Sequence, residues 1–146
     1  MFDCRNPSQI KGQTVLDLGC GTGILSMFCA KAGAAKVLGV DMSEIIHSTR
    51  DIVRENGLDD RISLIKGRLE DVSLEGEKFD ILVSEWMGYF LLYEGMLDSV
   101  ISARDKYLKP GGLILPNACT MFLFAISDED RYDKTIDYWK DVYGFK

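Results

Sequence analysis

Val15-Leu16-Asp17-Leu18-Gly19-Cys20-Gly21-Thr22-Gly23 is the stretch on which the fold turns. Residues 14–18 read as a strand, and residues 24–32 read as a helix apolar on most sides and stopped by Gly33. Between them lie glycines 19, 21 and 23. Without a Cβ the backbone can turn tightly there and approach a ligand closely. The N–H groups at the start of the following helix have no partners within it and are available to the same space. A strand, a glycine loop and a helix in this order hold something small.

Two cofactor classes use such a junction. A dinucleotide site wants Gly-x-Gly-x-x-Gly/Ala, with the last small residue allowing close helix packing. Here the third glycine comes one position early, and Ile24 fills the slot that must stay small. No lysine is present for a Walker-type phosphate loop. The Asp-x-Gly-x-Gly-x-Gly form instead resembles motif I of the class I S-adenosylmethionine-dependent methyltransferases.

Outward from this loop, strand and helix signals alternate. Strands are predicted at 36–40, 62–66, 79–84 and 113–115, with a further apolar strand at 119–126. Ser43 is the expected N-cap of a second helix, with Glu44 in its first turn. Ile45, Thr49, Ile52 and Val53 form its apolar stripe, and Asn56-Gly57 ends it. Leu97, Val100, Ile101, Arg104 and Leu108 follow helical spacing in a segment starting near Glu94. Lys109-Pro110-Gly111-Gly112 reads as a turn. A charged helix is expected from 128 to 141, with Tyr138, Trp139 and Tyr143 on its apolar side. This alternation predicts an α/β fold of the Rossmann-like type, a mostly parallel sheet flanked by helices, as one domain over residues 1–146. The first strand begins only thirteen residues in, and the aromatic tail has no visible partner, so a longer protein is expected in both directions.

The composition sets limits. With 146 residues, 47% hydrophobic and 27% charged, the chain can build one ordinary core. No apolar run reaches membrane length, and the first residues carry no signal-peptide pattern. Cys4, Cys20, Cys29 and Cys119 show no paired spacing and no clustered histidine. They read as reduced thiols, with no metal site, in a cytoplasmic or nuclear protein. A net charge of −6 argues against a nucleic-acid backbone as partner and suits a cationic substrate, although acidity also serves solubility alone.

In an open α/β sheet, ligands bind at the carboxyl ends of the strands. Asp41 closes the second strand, where it can accept hydrogen bonds from both hydroxyls of a ribose or serve as a turn residue before Ser43. The glycine loop upstream favours the first role. Glu70 follows the third strand and can accept from an exocyclic adenine amine, though alone it is an ordinary loop glutamate. Ser84-Glu85-Trp86-Met87-Gly88-Tyr89-Phe90-Leu91-Leu92-Tyr93-Glu94-Gly95-Met96 is the second informative stretch. Glu85 is expected at the end of a buried strand, where a charge needs a partner. Glu94 lies nine residues on, near a helix start, where the dipole alone would favour it. The aromatics between them are expected mostly in the core.

This second stretch resembles the double-E loop of the protein arginine methyltransferases. Motif I at 15–23, the segment 37–41, and residues 66–70 and 108–116 resemble that family in order and spacing. So do Arg5-Asn6-Pro7 and the closing stretch 139–145, and the similarity covers essentially the whole chain. It is nearest the asymmetric-dimethylating type, in the branch of protein arginine N-methyltransferase 3. The resemblance implies S-adenosylmethionine as cofactor, with contacts from Asp17, Gly19, Cys20, Gly21, Gly23, Asp41, Met42, Ser43, Leu69 and Glu70. It implies Glu85 and Glu94 as the pair that grips the arginine guanidinium, with Met96 shaping the slot, although Met96 also reads as a gap-filling core residue. The chemistry agrees: guanidinium and sulfonium are both cationic, so negative charge fixed on two sides is needed to bring them together. Two carboxylates also lock the guanidinium plane and aim one nitrogen. The products would be S-adenosylhomocysteine and methylarginine. Arginine-containing protein substrates follow from the family, including Gly/Arg-rich, ribosomal and RNA-binding proteins, with no direct nucleic-acid or membrane contact. His47 has no family counterpart in the catalytic site and is given no role.

The family also has an N-terminal helix that closes over the cofactor, and a C-terminal β-barrel with a dimerisation arm. Nothing in these 146 residues matches them, so the chain is expected to be the cofactor-binding part of a homodimeric enzyme, weak or inactive alone. A methyltransferase acting on another substrate shares the glycine loop but gives no reason for paired Glu85 and Glu94. A non-catalytic cofactor-binding module is the third possibility.

Overall fold

The computed structural model describes residues 7–74 and 76–146; Cys4 and the Arg5-Asn6 stretch lie outside the described residues. Five strands form one sheet in the order β3-β2-β1-β4-β5: β1 (Thr14–Leu18), β2 (Lys36–Asp41), β3 (Ile62–Lys66), β4 (Phe79–Val83) and β5 (Leu108–Leu115). All four pairings are parallel. β1 is central, with Leu16 opposite both Leu38 of β2 and Leu82 of β4.

Alternation along the strands sorts side chains onto two buried faces. Val15, Val37, Ile81 and Val83 pack with Cys29 and Ala30 of α1 (Ile24–Lys31) and Val53 of α2 (Ile45–Glu55). Leu16, Leu18, Leu38, Val40 and Leu82 pack on the other face with Val100 and Ala103 of α3 (Met96–Tyr107). The sheet is therefore covered on both sides, and its carboxyl edge carries the loops after β1, β2, β3 and β4. No described helix is long and apolar enough to cross a membrane.

Four expectations need correction. The stripe of α2 is centred on Ile46, Thr49 and Val53, whereas Ile45 is exposed, because the buried face begins one residue later than the apolar run. Ser43 does not cap α2; its hydroxyl donates to Asp41 instead, and Glu44 occupies the N-cap position without a side-chain cap. The Lys109-Pro110-Gly111-Gly112 stretch is not a separate turn but an irregularity inside β5, where Leu108 pairs with Phe79 and Leu113 with Ile81. Asp80 holds that irregularity, accepting from Lys109 Nζ at 2.7 Å and from the Thr14 N–H at 2.9 Å. These bonds keep its carboxyl low, at about 2, with the Lys109 contact the largest cause. Residues 119–126 form no strand: no described strand pairs with them, and Phe122, Leu123 and Phe124 are exposed. The tail holds α4 (Glu129–Thr135), capped by Asp128 Oδ1 accepting from the Arg131 N–H at 2.9 Å. Tyr138, Trp139 and Tyr143 beyond it are exposed.

Candidate functional site

The glycine loop leaves β1 and is fastened to the end of β2. The N–H groups of Gly19 and Cys20 donate to the Val40 carbonyl at 2.8 and 3.2 Å. Gly21 donates its N–H to Asp41 Oδ2 at 2.8 Å. Asp41 Oδ1 accepts from the Ser43 N–H at 2.8 Å and its hydroxyl at 2.6 Å. Partial burial acts to raise the Asp41 carboxyl, but the bonds from Ser43 and Gly21 outweigh it, so the group lies below the usual range. Asp41 is thus both the turn residue before Ser43 and an anion at the sheet edge. Gly23 is the N-cap of α1 at φ 81, a left-handed conformation that glycine adopts without strain.

A cleft of about 470 Å³ opens over the ends of β1, β2 and β3 and the start of α3. Of the expected cofactor residues, Gly19, Asp41, Met42, Ser43, Leu69 and Glu70 line it, as do Glu94 and Met96. The Met96 Cε stands 3.3 Å from where a Cβ on Gly19 would be, so the absence of that Cβ lets α3 close onto the loop. Ser99 and Arg68 also face the cleft and were not expected. The Ser99 hydroxyl donates to Glu70 Oε1 at 2.7 Å, and this bond is the main reason the Glu70 carboxyl is lowered. Ser99 sits three residues after Met96, a spacing that puts both on one side of a helix and would have found it.

Four expected contacts do not line the cleft. Cys20 turns its sulfur inward against Gly39, and burial followed by Asp17 and Asp41 pushes its thiol to about 12. Gly21 and Gly23 shape the loop. Asp17 is wholly buried on the face of α1, because in a pleated strand it shares a side with Val15. Its Oδ2 accepts from the Ser26 hydroxyl at 2.6 Å, while Oδ1 has no hydrogen-bond partner among the described residues.

Burial, opposed by the Ser26 bonds, raises the Asp17 carboxyl from 3.8 to about 6. Between those values the unfolded chain releases the proton while the folded chain keeps it. The Asp17 contribution to stability therefore falls as pH rises through that window and stays low above it. In Asp17→Asn the titrating group is gone. The stability of wild type relative to this variant is expected to drop by roughly 3 kcal/mol from about pH 4 to pH 7. Urea unfolding of both proteins across that range checks it, and a constant difference counts against it.

The two acids of the second stretch are placed differently. Glu94 lines the cleft, its side chain against Gly88; Glu85 follows β4 and does not line it. The end of β4 is buried but Glu85 itself is exposed, so no desolvation demands a partner for it. Neither acid makes a hydrogen bond or ion pair with a described residue. Of the aromatics, only Trp86 is in the core, donating from Nε1 to the Pro116 carbonyl at 3.2 Å. Tyr89, Phe90 and Tyr93 are exposed, contrary to expectation, because Phe90 and Leu91 at φ 57 and 60 turn the segment outward.

A family model described as a methyltransferase domain matches residues 15–112. Protein arginine N-methyltransferase 1 of Schizosaccharomyces pombe is 59% identical over 141 residues, covering 97% of this chain and 42% of that protein. Among solved structures, the Trypanosoma brucei PRMT1 enzyme-prozyme heterotetrameric complex with AdoHcy matches with a TM-score of 0.85 and 46% identity, over 97% of this chain and 44% of that one. Arabidopsis thaliana protein arginine methyltransferase 10 matches with a TM-score of 0.73 and 50% identity, over 75% of this chain and 31% of that one. The chain thus spans less than half the length of these relatives.

Proposed function

This chain belongs to the protein arginine N-methyltransferases, within the methyltransferase-domain family, and from that premise we propose that it is the S-adenosylmethionine-binding part of an enzyme that methylates protein arginines. The observation that carries the reading is one cleft in which Asp41 and Glu70, at the ends of β2 and β3, meet Glu94 and Met96 at the start of α3. The residues fit the cofactor. The cleft has the size of a small-molecule site, and Gly19 keeps its floor free of a Cβ.

When bound, the cofactor supplies an activated methyl group on a sulfonium. Asp41 accepts from a ribose hydroxyl with the one lone pair, on Oδ2, that Ser43 and Gly21 leave free. Glu70, steadied by Ser99, accepts from the adenine amine through Oε2. Glu94 grips the guanidinium from the cleft wall and holds its plane. Glu85 is assigned as the second carboxylate, brought to the substrate by a turn of residues 85–95. Asymmetric dimethylation, cytoplasmic and nuclear location, Gly/Arg-rich protein substrates and dimerisation of the longer enzyme belong to the same proposal, as does weak activity of these residues alone. A methyltransferase acting on another substrate, or a non-catalytic module, leaves the carboxylate on the cleft wall unused.

Calorimetric titration with S-adenosylhomocysteine tests the cofactor site. Saturable binding by wild type and a loss of about 10- to 100-fold in Asp41→Ala are expected, since the ribose acceptor and the anchor of Gly21 go together. Unchanged affinity in the variant removes Asp41 from the site. Absence of binding by the folded wild type, repeated on a chain extended at both ends, overturns the cofactor reading.

A further inference from the structure

Thr49 does not line the cleft, yet it reaches the glycine loop from α2. It is completely buried on α2. Its hydroxyl oxygen lies 2.6 Å from the Gly21 carbonyl oxygen and 2.9 Å from that of Ile45, one turn back on its own helix. A threonine hydroxyl has one proton, so the two carbonyls compete for it, and the shorter contact is to the loop. Its γ-methyl lies 2.8 Å from where a Cβ on Gly23 would stand.

The other side of Gly21 is also tied, since its N–H donates to Asp41 Oδ2. Gly21 sits at φ 52 with no atom near its missing Cβ, so nothing packs against it to hold it there. Two hydrogen bonds, one on each flanking peptide, therefore fix the orientation of the link that sterics leave loosest. Asp41 supplies one from the turn after β2, and Thr49 supplies the other from α2.

We propose that Thr49 is a positioning residue of the cofactor site: its hydroxyl clamps the Gly21 peptide and preorganises the glycine loop for the nucleotide. This rests on the cofactor reading above. A preorganised loop binds more tightly because less freedom is lost on binding.

Thr49→Val removes the hydroxyl and keeps the branched shape; Thr49→Ser keeps the hydroxyl and drops the methyl. In the free chain, amide hydrogen exchange at Gly21 and its loop neighbours is expected to speed up about 10-fold in Thr49→Val and to stay near wild type in Thr49→Ser. Affinity for S-adenosylhomocysteine is expected to fall about 5- to 20-fold in Thr49→Val and to be restored in Thr49→Ser. Thr49→Ala replaces Thr49→Val if the valine does not fold. Wild-type exchange and affinity in the hydroxyl-less variant overturn the clamp. So does an equal loss in Thr49→Val and Thr49→Ser, which would assign the effect to packing. If both wild type and the chain extended at both ends fail to bind the probe, the cofactor reading falls, and the exchange rates still decide whether Thr49 holds the loop.

Discussion

Glu94→Gln is expected to lower turnover on an arginine peptide by roughly 100- to 1,000-fold, with the affinity for S-adenosylhomocysteine changed less than about threefold. The assay uses a chain extended to the length of the relatives. Glutamine keeps the shape of the side chain and one acceptor oxygen, and removes the charge. The charge is what the reaction needs, because a guanidinium must be held beside a second cation. Glu94 is positioned for this on the cleft wall, and its carboxylate is bound to no described residue. Glu85→Gln is expected to lose as much by the same reasoning, although Glu85 stands outside the cleft here. Full activity in both variants removes arginine as the substrate. Loss in Glu94→Gln alone removes the turn of residues 85–95 from the mechanism.

Gly23→Ala is expected to weaken S-adenosylhomocysteine binding more than about 100-fold and to cost about 2–4 kcal/mol of stability. Two costs add. Alanine is strained at φ 81, and its Cβ would lie 2.8 Å from the Thr49 γ-methyl, which is buried, branched and unable to swing aside. Gly57→Ala separates these costs. Gly57 also has a positive φ, 64, but nothing stands within 4 Å of its missing Cβ. That variant should lose only about 1 kcal/mol in thermal unfolding and keep its ligand affinity. Wild-type affinity in Gly23→Ala means that the loop does not shape the nucleotide site.

Much of this was legible in the chain. Apolar runs bounded by glycine and polar residues marked β1 to β4 to within a residue. The switch from strand to glycine to helix located the cleft edge, and an acid after β2 fell where expected. The failures have physical causes. The stretch Lys109-Pro110-Gly111-Gly112 carries turn chemistry, but Asp80 draws Lys109 back and the strand runs through it. Residues 119–126 have the composition of a strand, but backbone pairing needs a neighbour that no composition reveals. Asp17 was counted toward the ligand by its place in the motif, whereas the two-residue period of β1 turns it toward Ser26. Glu85 and Glu94 are nine residues apart in sequence, and spacing does not say which way the intervening loop turns.

The pairing of β1 has a consequence for the order in which the molecule can be made. Its partner β2 begins at Lys36 and is available early, but its other partner, β4, holds Ile81 opposite Val15. During synthesis the glycine loop therefore leaves the ribosome well before the strand that flanks it on one side. Until residues near 83 emerge, β1 is an edge strand whose backbone N–H and C=O groups on that side have no strand to pair with. Within this stretch the glycine loop is translated well before the cleft is complete, because α3, which carries Met96 and Ser99 to it, comes later still.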